Sequence, residues 1–425
     1  MPRVATPSTP ALMLLPLLGL ALSVGACNRL ADSDFEGFGD IGAEEEGEGL
    51  EGENPGSGGE ISESCWDGIP QPGEYCQVQA PDLDSGIDPC SLSVADFDDD
   101  GRPDLAVPNS NWLLPPGSAH VNNVLRGYGN GDFAPTQAYD AGAELPVGLA
   151  AGDFDGDGDL DIATANNEAN AAFLSFNEGG MDFGQASQTS VGAVASSISA
   201  GDIDNDGVDD LVVTTPSGVA LIQNGPGGAE WMTTLDVGGA AMHAELVDMD
   251  HDGRLDMLVA VMDSFGDDDY VRIYHGFGDG SFPEWVDHPL SGNPWWVVPG
   301  DLNMDGDLDL VTADYGSNVV SILLGNGQGG FSERTEIDVC AGPQSVAVGD
   351  MNNDGANDIV VGCMDGDEVQ MWLQIEGGEF ELTRWWATGL QPVSVQLADL
   401  NLDGALDVAW ANQYSNTVGM ALSHP

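Results

Sequence analysis

The chain has 425 residues, with 72 acidic against 8 basic side chains and a formal net charge of −64. That balance excludes nucleic acid and anionic membrane surfaces as partners, because phosphate recognition draws on Lys and Arg patches. With 42% hydrophobic residues, a wholly disordered acidic chain is excluded too, and 59 glycines set between short apolar runs point to an all-β domain.

Residues 1–27 read as a targeting segment. Arg3 gives a positive start, and the apolar run from Ala11 to Val24 has signal-peptide length but is short for a membrane span. It ends in Val24-Gly25-Ala26-Cys27, which resembles a bacterial lipobox. That resemblance implies a lipidated Cys27, whereas ordinary secretory cleavage after Ala26 would leave the thiol free. Asn28 at the next position points, by analogy with lipoprotein sorting, to the outer membrane or cell surface. Membrane contact is expected only through a lipid anchor at Cys27. Residues 28–64 are Gly and Glu with little else, too apolar-poor to offset chain entropy, so a disordered, self-repelling tether is expected.

Five further cysteines follow, at Cys65, Cys76, Cys90, Cys340 and Cys363. An exported setting permits disulfides. Cys65 and Cys76 frame a compact Pro/Gly loop, and Cys340 and Cys363 fall in one repeat where they could meet. Cys90 is left as a buried free thiol, although it competes for Cys76.

One motif then recurs seven times: D-x-[DN]-x-D-G-x-x-D-apolar, with copies 57, 49, 46, 53, 49 and 49 residues apart. Positions 1, 3, 5 and 9 are Asp96, Asp98, Asp100 and Asp104 in loop 1; Asp153, Asp155, Asp157 and Asp161 in loop 2; and Asp202, Asp204, Asp206 and Asp210 in loop 3. Loop 4 has Asp248, Asp250, Asp252 and Asp256, and loop 5 has Asp301, Asn303, Asp305 and Asp309. Loops 6 and 7 have Asp350, Asn352, Asp354 and Asp358, then Asp399, Asn401, Asp403 and Asp407. Alternate carboxylates followed by Gly at position 6 make a tight turn with inward-pointing oxygens, the spacing of the first half of an EF-hand loop without its closing glutamate. The expected ligand is Ca²⁺, up to seven ions, bound more weakly where Asn removes a charge. Magnesium prefers closer, water-retaining coordination, and His and Cys are too few near the loops for zinc or copper. A bare series of Asx turns is the metal-free reading.

Short apolar alternations flank every loop, as in "PVGLAAGD" before and "DLVV" after, and "NVVSILLGNG" and a fourth run complete a four-strand unit. Units of about 50 residues have the size of propeller blades. The last copy lacks its fourth strand, and a strand near 75–84 would supply it and close the ring; an open solenoid is the alternative. The loops, with "GFGDGSF" (276–282) and "GNGQGGF" (325–331), resemble the FG-GAP and VCBS repeats of integrin alpha-chain propellers over roughly residues 75–425. The resemblance implies an all-β, seven-bladed β-propeller with calcium in the hairpin loop between the first two strands of each blade. The organisation expected is a signal over 1–27, a linker over 28–64 and the propeller over 65–425.

No enzyme is expected. The six histidines lie in no zinc or nucleophile motif, and there is no nucleophile elbow, H-E-x-x-H or phosphate-cradling glycine loop. His251, at a non-ligand position of loop 4, reads as a solvent-facing filler. Recognition is expected on the opposite face, where loops rich in amides and aromatics gather, with Trp112, Tyr270, Tyr315 and Tyr414 as anchors. The alternative for such residues is turn capping by Asn and inter-blade packing by the rings. Of each adjacent pair, Trp295-Trp296 and Trp385-Trp386, one ring should point into a blade interface. The function expected is a monomeric, calcium-stabilised envelope protein that binds a protein or glycan. A polysaccharide-processing enzyme at the propeller mouth, or a plain scaffold, are the alternatives.

Overall fold

The structure is a computed structural model that describes residues 76–424 apart from 111–120, 144, 226–227, 264–268, 291, 333 and 376. The signal with Cys27, the 28–64 linker, Cys65 and Trp112 lie outside the described residues.

Seven four-stranded antiparallel sheets succeed one another along the chain. The first strand of each is innermost: Ser93–Ala95, Pro146–Gly152, Ile198–Gly201, Ala240–Val247, Pro294–Gly300, Pro343–Gly349 and Pro392–Ala398. The second strands all begin at position 9 of the acidic motif: Asp104–Asn109, Asp161–Asn166, Asp210–Thr215, Asp256–Met262, Asp309–Asp314, Asp358–Cys363 and Asp407–Asn412. Fourth strands such as Gln137–Asp140 and Glu284–Pro289 are exposed on the rim. In the last sheet the outermost strand is Cys76–Asp84, paired antiparallel with Thr417–His424 from Cys76↔His424 to Asp84↔Thr417. The ring is thus a seven-bladed propeller closed by the N-terminal strand.

The second strands are almost wholly buried because each is sandwiched between two neighbouring blades. Strand periodicity of two sends successive residues to opposite interfaces. Ile162 packs with Phe97 and Val124 of blade 1, while Ala163 and Ala165 pack with Leu211 and Val213 of blade 3. Seven apolar clusters result, one per pair of adjacent blades. The cluster joining blades 7 and 1 sets Val418 and Met420 against Leu105 and Val107. A lone blade would leave both faces wet, so the blades stabilise one another in a circle.

Two cysteine expectations meet the structure. Cys340 and Cys363 are disulfide-bonded with Cα atoms 5.9 Å apart. The free-thiol reading of Cys90 is wrong: this buried residue is in a disulfide, and no free cysteine occurs among the described residues.

Candidate metal loops and the opposite face

Loop 2 displays the architecture of all seven. Asp153 at position 1 accepts backbone N–H bonds from Gly156 and Asp157 on Oδ1 (2.8 and 3.1 Å) and from Gly158 on Oδ2 (3.0 Å). Asp155 accepts from Asp157 N–H (3.2 Å), and Asp157 accepts from Asp159 N–H (3.0 Å). The same position-1 to glycine bond occurs in every loop. The glycine needs its place, with φ between 82° and 97° across the seven copies. Position 4 is left-handed as well, and most copies use residues tolerant of it: Asp99, Gly156, Asn205, His251 and Asn353. Met304 and Leu402 adopt it at φ 59° and 58° and stand exposed, a local strain these two loops carry.

Position 9 has a second role that the motif alone did not reveal. Its carboxylate is buried, and Oδ2 accepts the N–H of position 2 in all seven blades, at 2.7–3.1 Å. Its Oδ1 accepts an N–H from the end of the third strand, as from Gly127 on Asp104 (2.8 Å) and Asn177 on Asp161 (2.7 Å). Position 2 is always a buried apolar plug: Phe97, Phe154, Ile203, Met249, Leu302, Met351 and Leu400. A carboxylate tied to three points of the blade therefore fixes the loop before any ion enters. Where the third strand ends in Gly127, Gly276 or Gly325, a Cβ would collide with the position-8 carbonyl at 1.9–2.0 Å. Where it ends in Asn177 or Asn224, the side-chain amide instead donates to that carbonyl, on Leu160 (3.1 Å) and Asp209 (2.8 Å).

Burial drives the position-9 carboxyls upward, to about 6 for Asp104 and Asp358 and about 7 for Asp161, Asp210 and Asp407, against the opposing pull of the two N–H bonds. Asp256 and Asp309 rise for the same reason. At position 3, burial and then neighbouring carboxylates raise Asp155 and Asp204. Such charge crowding is what a bound cation would relieve. Oxygens of Asp96, Asp98 and Asp104, of Asp153, Asp155 and Asp161, of Asp202, Asp204 and Asp206, and of Asp248, Asp250 and Asp252 converge to within 4.8 Å of one another. These acidic clusters could hold a metal ion, and their all-oxygen donor sets fit a hard one. In loop 6 Asn352 Nδ2 donates to the Asp354 carboxylate (3.0 Å), whereas in loop 7 Asn401 Nδ2 donates to the Ser423 carbonyl outside the loop (3.0 Å).

The loops differ in ways the motif hides. In loop 1 the Arg126 guanidinium pairs with both Asp98 and Asp100, and Arg102 pairs with Asp100. Burial is the largest influence on Asp98 and raises it; Arg126 works against that rise. In loop 4, His275 sits with Asp250 and Asp256, the imidazole neighbour that sequence reading overlooked. His251 is more than a filler, since its Nε2 bonds the Gly306 carbonyl of the next loop at 3.0 Å. Asp153 N–H donates to Asp209 (3.0 Å) and Asn357 Nδ2 to the Asp301 carbonyl (2.9 Å), so adjacent loops are stitched into a ring.

On the opposite face several polar side chains are spent on turns. Asn318, Asp367 and Asn416 are left-handed turn residues. They accept the N–H of Gly342, Gln391 and Asp88 respectively, at 2.8–2.9 Å. Tyr270 is an inter-blade packing residue: its hydroxyl donates to the Val237 carbonyl, and the Arg272 guanidinium lies 5.2 Å from its ring centre. Tyr315 is half-buried, stacks on Trp295 at 4.8 Å and donates its hydroxyl to Asp365 of the next blade (2.8 Å). Tyr414 is half-buried in its turn. Trp296 stacks on His243 at 3.8 Å; Trp386 is buried against Trp410 while Trp385 stays exposed.

Comparison with known proteins agrees with this geometry. The family model described as FG-GAP-like repeat matches six overlapping stretches, 111–164, 153–213, 202–259, 248–312, 301–361 and 350–410. Virginiamycin B lyase from Staphylococcus aureus is similar in fold, at TM-score 0.56 and 10% identity over 82% of this chain and 99% of that one. Periplasmic gluconolactonase from Pseudomonas aeruginosa is similar at TM-score 0.52 and 15% identity, over 71% and 86%. BBS1N, solved in complex with ARL6DN, is similar at TM-score 0.54 and 11% identity, over 81% and 96%. Identities this low speak for the fold alone, and the set holds enzymes beside a protein-binding domain. No curated protein matches the chain.

Proposed function

The chain belongs to the FG-GAP-like repeat family, and from that premise we propose that it is a calcium-stabilised binding protein of the cell envelope. Its acidic loops take Ca²⁺, and its opposite face recognises a protein or glycan. The observation that carries this reading is the division of labour between faces: the acidic carboxylates are tied into their own loops and their neighbours, while Tyr315 and Trp295 form an aromatic stack beside the central channel on the other side. Aromatic faces with adjacent polar groups suit sugars and protein side chains alike. Loops 2, 3 and 4 would hold calcium through positions 1, 3, 5 and 9, with loops 5 to 7 weaker for their Asn. The ion would supply charge compensation and rigidity rather than chemistry. Cys27 would carry the lipid anchor, and residues 28–64 would form the tether to a propeller spanning 65–425, active as a monomer.

Glycan-array binding with and without chelator, by wild type and by Tyr315→Ala, tests the assignment. Binding that needs calcium and is lost in Tyr315→Ala is expected; binding indifferent to both would overturn it. The enzyme alternative finds its one support in His243 and Glu245, which line the central channel. A reducing-end assay on incubated polysaccharides decides that reading.

A further inference from the structure

The inner strands line a channel along the ring axis, and their starting residues surround its mouth on the face away from the acidic loops. In five blades a bulge falls near the start of that strand, at its second residue in Val147, Trp295, Gln344 and Val393 and at its third in Met242, where the register shifts. A bulge re-aims its side chain, and Val147, Met242, Trp295 and Gln344 all line the upper cavity. Four of the five are apolar. Gln344 is the exception: it is 1% exposed, and neither its amide nitrogen nor its oxygen has a hydrogen-bond partner. Leaving a buried amide unpaired is costly, and Val at the equivalent place in blades 2 and 7 demonstrates that the fold does not require it.

The upper cavity, of about 30 Å³, neighbours a larger one of about 240 Å³, and the two share walls at Ser91, Gly148, Ser197 and Trp296. Its lining is predominantly polar, with His243, Glu245 and Gln396 beside serines. The buried His243 ring is held by its stack on Trp296, and its Nδ1 also lacks a partner. Burial keeps this imidazole neutral, at about 3, and raises Glu245 to about 7. Serine hydroxyls, the Gln396 amide and the neutral His243 imidazole line this space with one partly exposed carboxyl, Glu245, and it is smaller than the roughly 300–1,000 Å³ of drug-sized pockets.

We propose that this two-lobed channel binds a small neutral polyhydroxylated ligand, a single sugar ring or its open-chain polyol, with the Gln344 amide reading it at the mouth. This rests on the reading of the same face as the recognition face and names what its centre takes. The test uses the calcium-loaded protein with free hexoses, hexosamines and hexitols at millimolar concentration, read by saturation-transfer NMR and tryptophan fluorescence. Saturation transfer to at least one class is expected. Gln344→Val should weaken it about tenfold, the scale of a lost buried hydrogen bond, without lowering the melting temperature. Silence from every probe, or equal binding by Gln344→Val, would overturn the site. A protein that binds arrayed glycans yet takes up no free sugar overturns the channel and leaves the face reading standing. Sugar uptake sensitive to Gln344→Val with no array binding supports the channel and sinks the face.

Discussion

On one face of the ring, seven loops repeat a single design down to individual hydrogen bonds; on the other, the side chains around the axis change from blade to blade. The position-9 carboxylate meets the same two N–H groups in every blade. The bulge residues at the channel mouth run from Val147 to Trp295 to Gln344. A device copied seven times serves the ring as a whole, and its chemistry can be read as an average. Features that occur once are where recognition can be specific, and they stand out only against the repeat.

Four measurements bear on this contrast. The largest effect should come from chelation. Several sites filled well above their dissociation constants contribute about 2.7 kcal/mol each, so removing the ion should lower the melting temperature by on the order of 10 °C or more. A scan unchanged by chelator would separate the loops from metal altogether. Next comes Asp161→Ala, which strands the buried N–H groups of Phe154 and Asn177 and should cost about 3–5 kcal/mol in urea unfolding. Because those bonds belong to the fold, most of the loss should persist in chelator; a loss that vanishes there would make position 9 only a ligand. Third, Asp155→Ala with Asp157→Ala should cost about 1–3 kcal/mol in calcium, more than Asn352→Ala, which removes no charge. Equal costs would refute the charge-count argument. The smallest effect concerns loop 1, where Arg126 sits half-exposed against Asp98 and Asp100. Arg126→Ala should strengthen cation binding there by only a few-fold, as exposed pairs are worth about 1 kcal/mol or less. Terbium luminescence would read it, and unaltered affinity would mean the guanidinium does not compete.

Fold and loop positions were legible because they depend on local spacing. Aspartates at fixed intervals, glycine at position 6 and apolar alternation on either side need no distant information. What escaped depends on contacts between residues far apart in sequence. Arg126 lies 28 residues beyond Asp98, and His275 reaches loop 4 from the end of a third strand. The apolar character of position 2 was in plain view, from Phe97 to Leu400, but its meaning required seeing its N–H on the buried carboxylate. Amides expected to face a partner proved to hold turns, as Asn318 and Asn416 do, because short polar side chains serve local backbone first. Gln344 looked ordinary in "PQSVAVGD" until the register shift singled it out.

The closing strand also gives the ring a direction. Cys76 lies opposite His424, where the third strand of blade 7 ends beside the acidic loops, and Asp84 lies opposite Thr417 at the far rim. The chain therefore joins the disc from its acidic side. Anything fastened upstream of Cys76 would approach the disc on that side, which leaves the channel mouth on the face away from the point of entry.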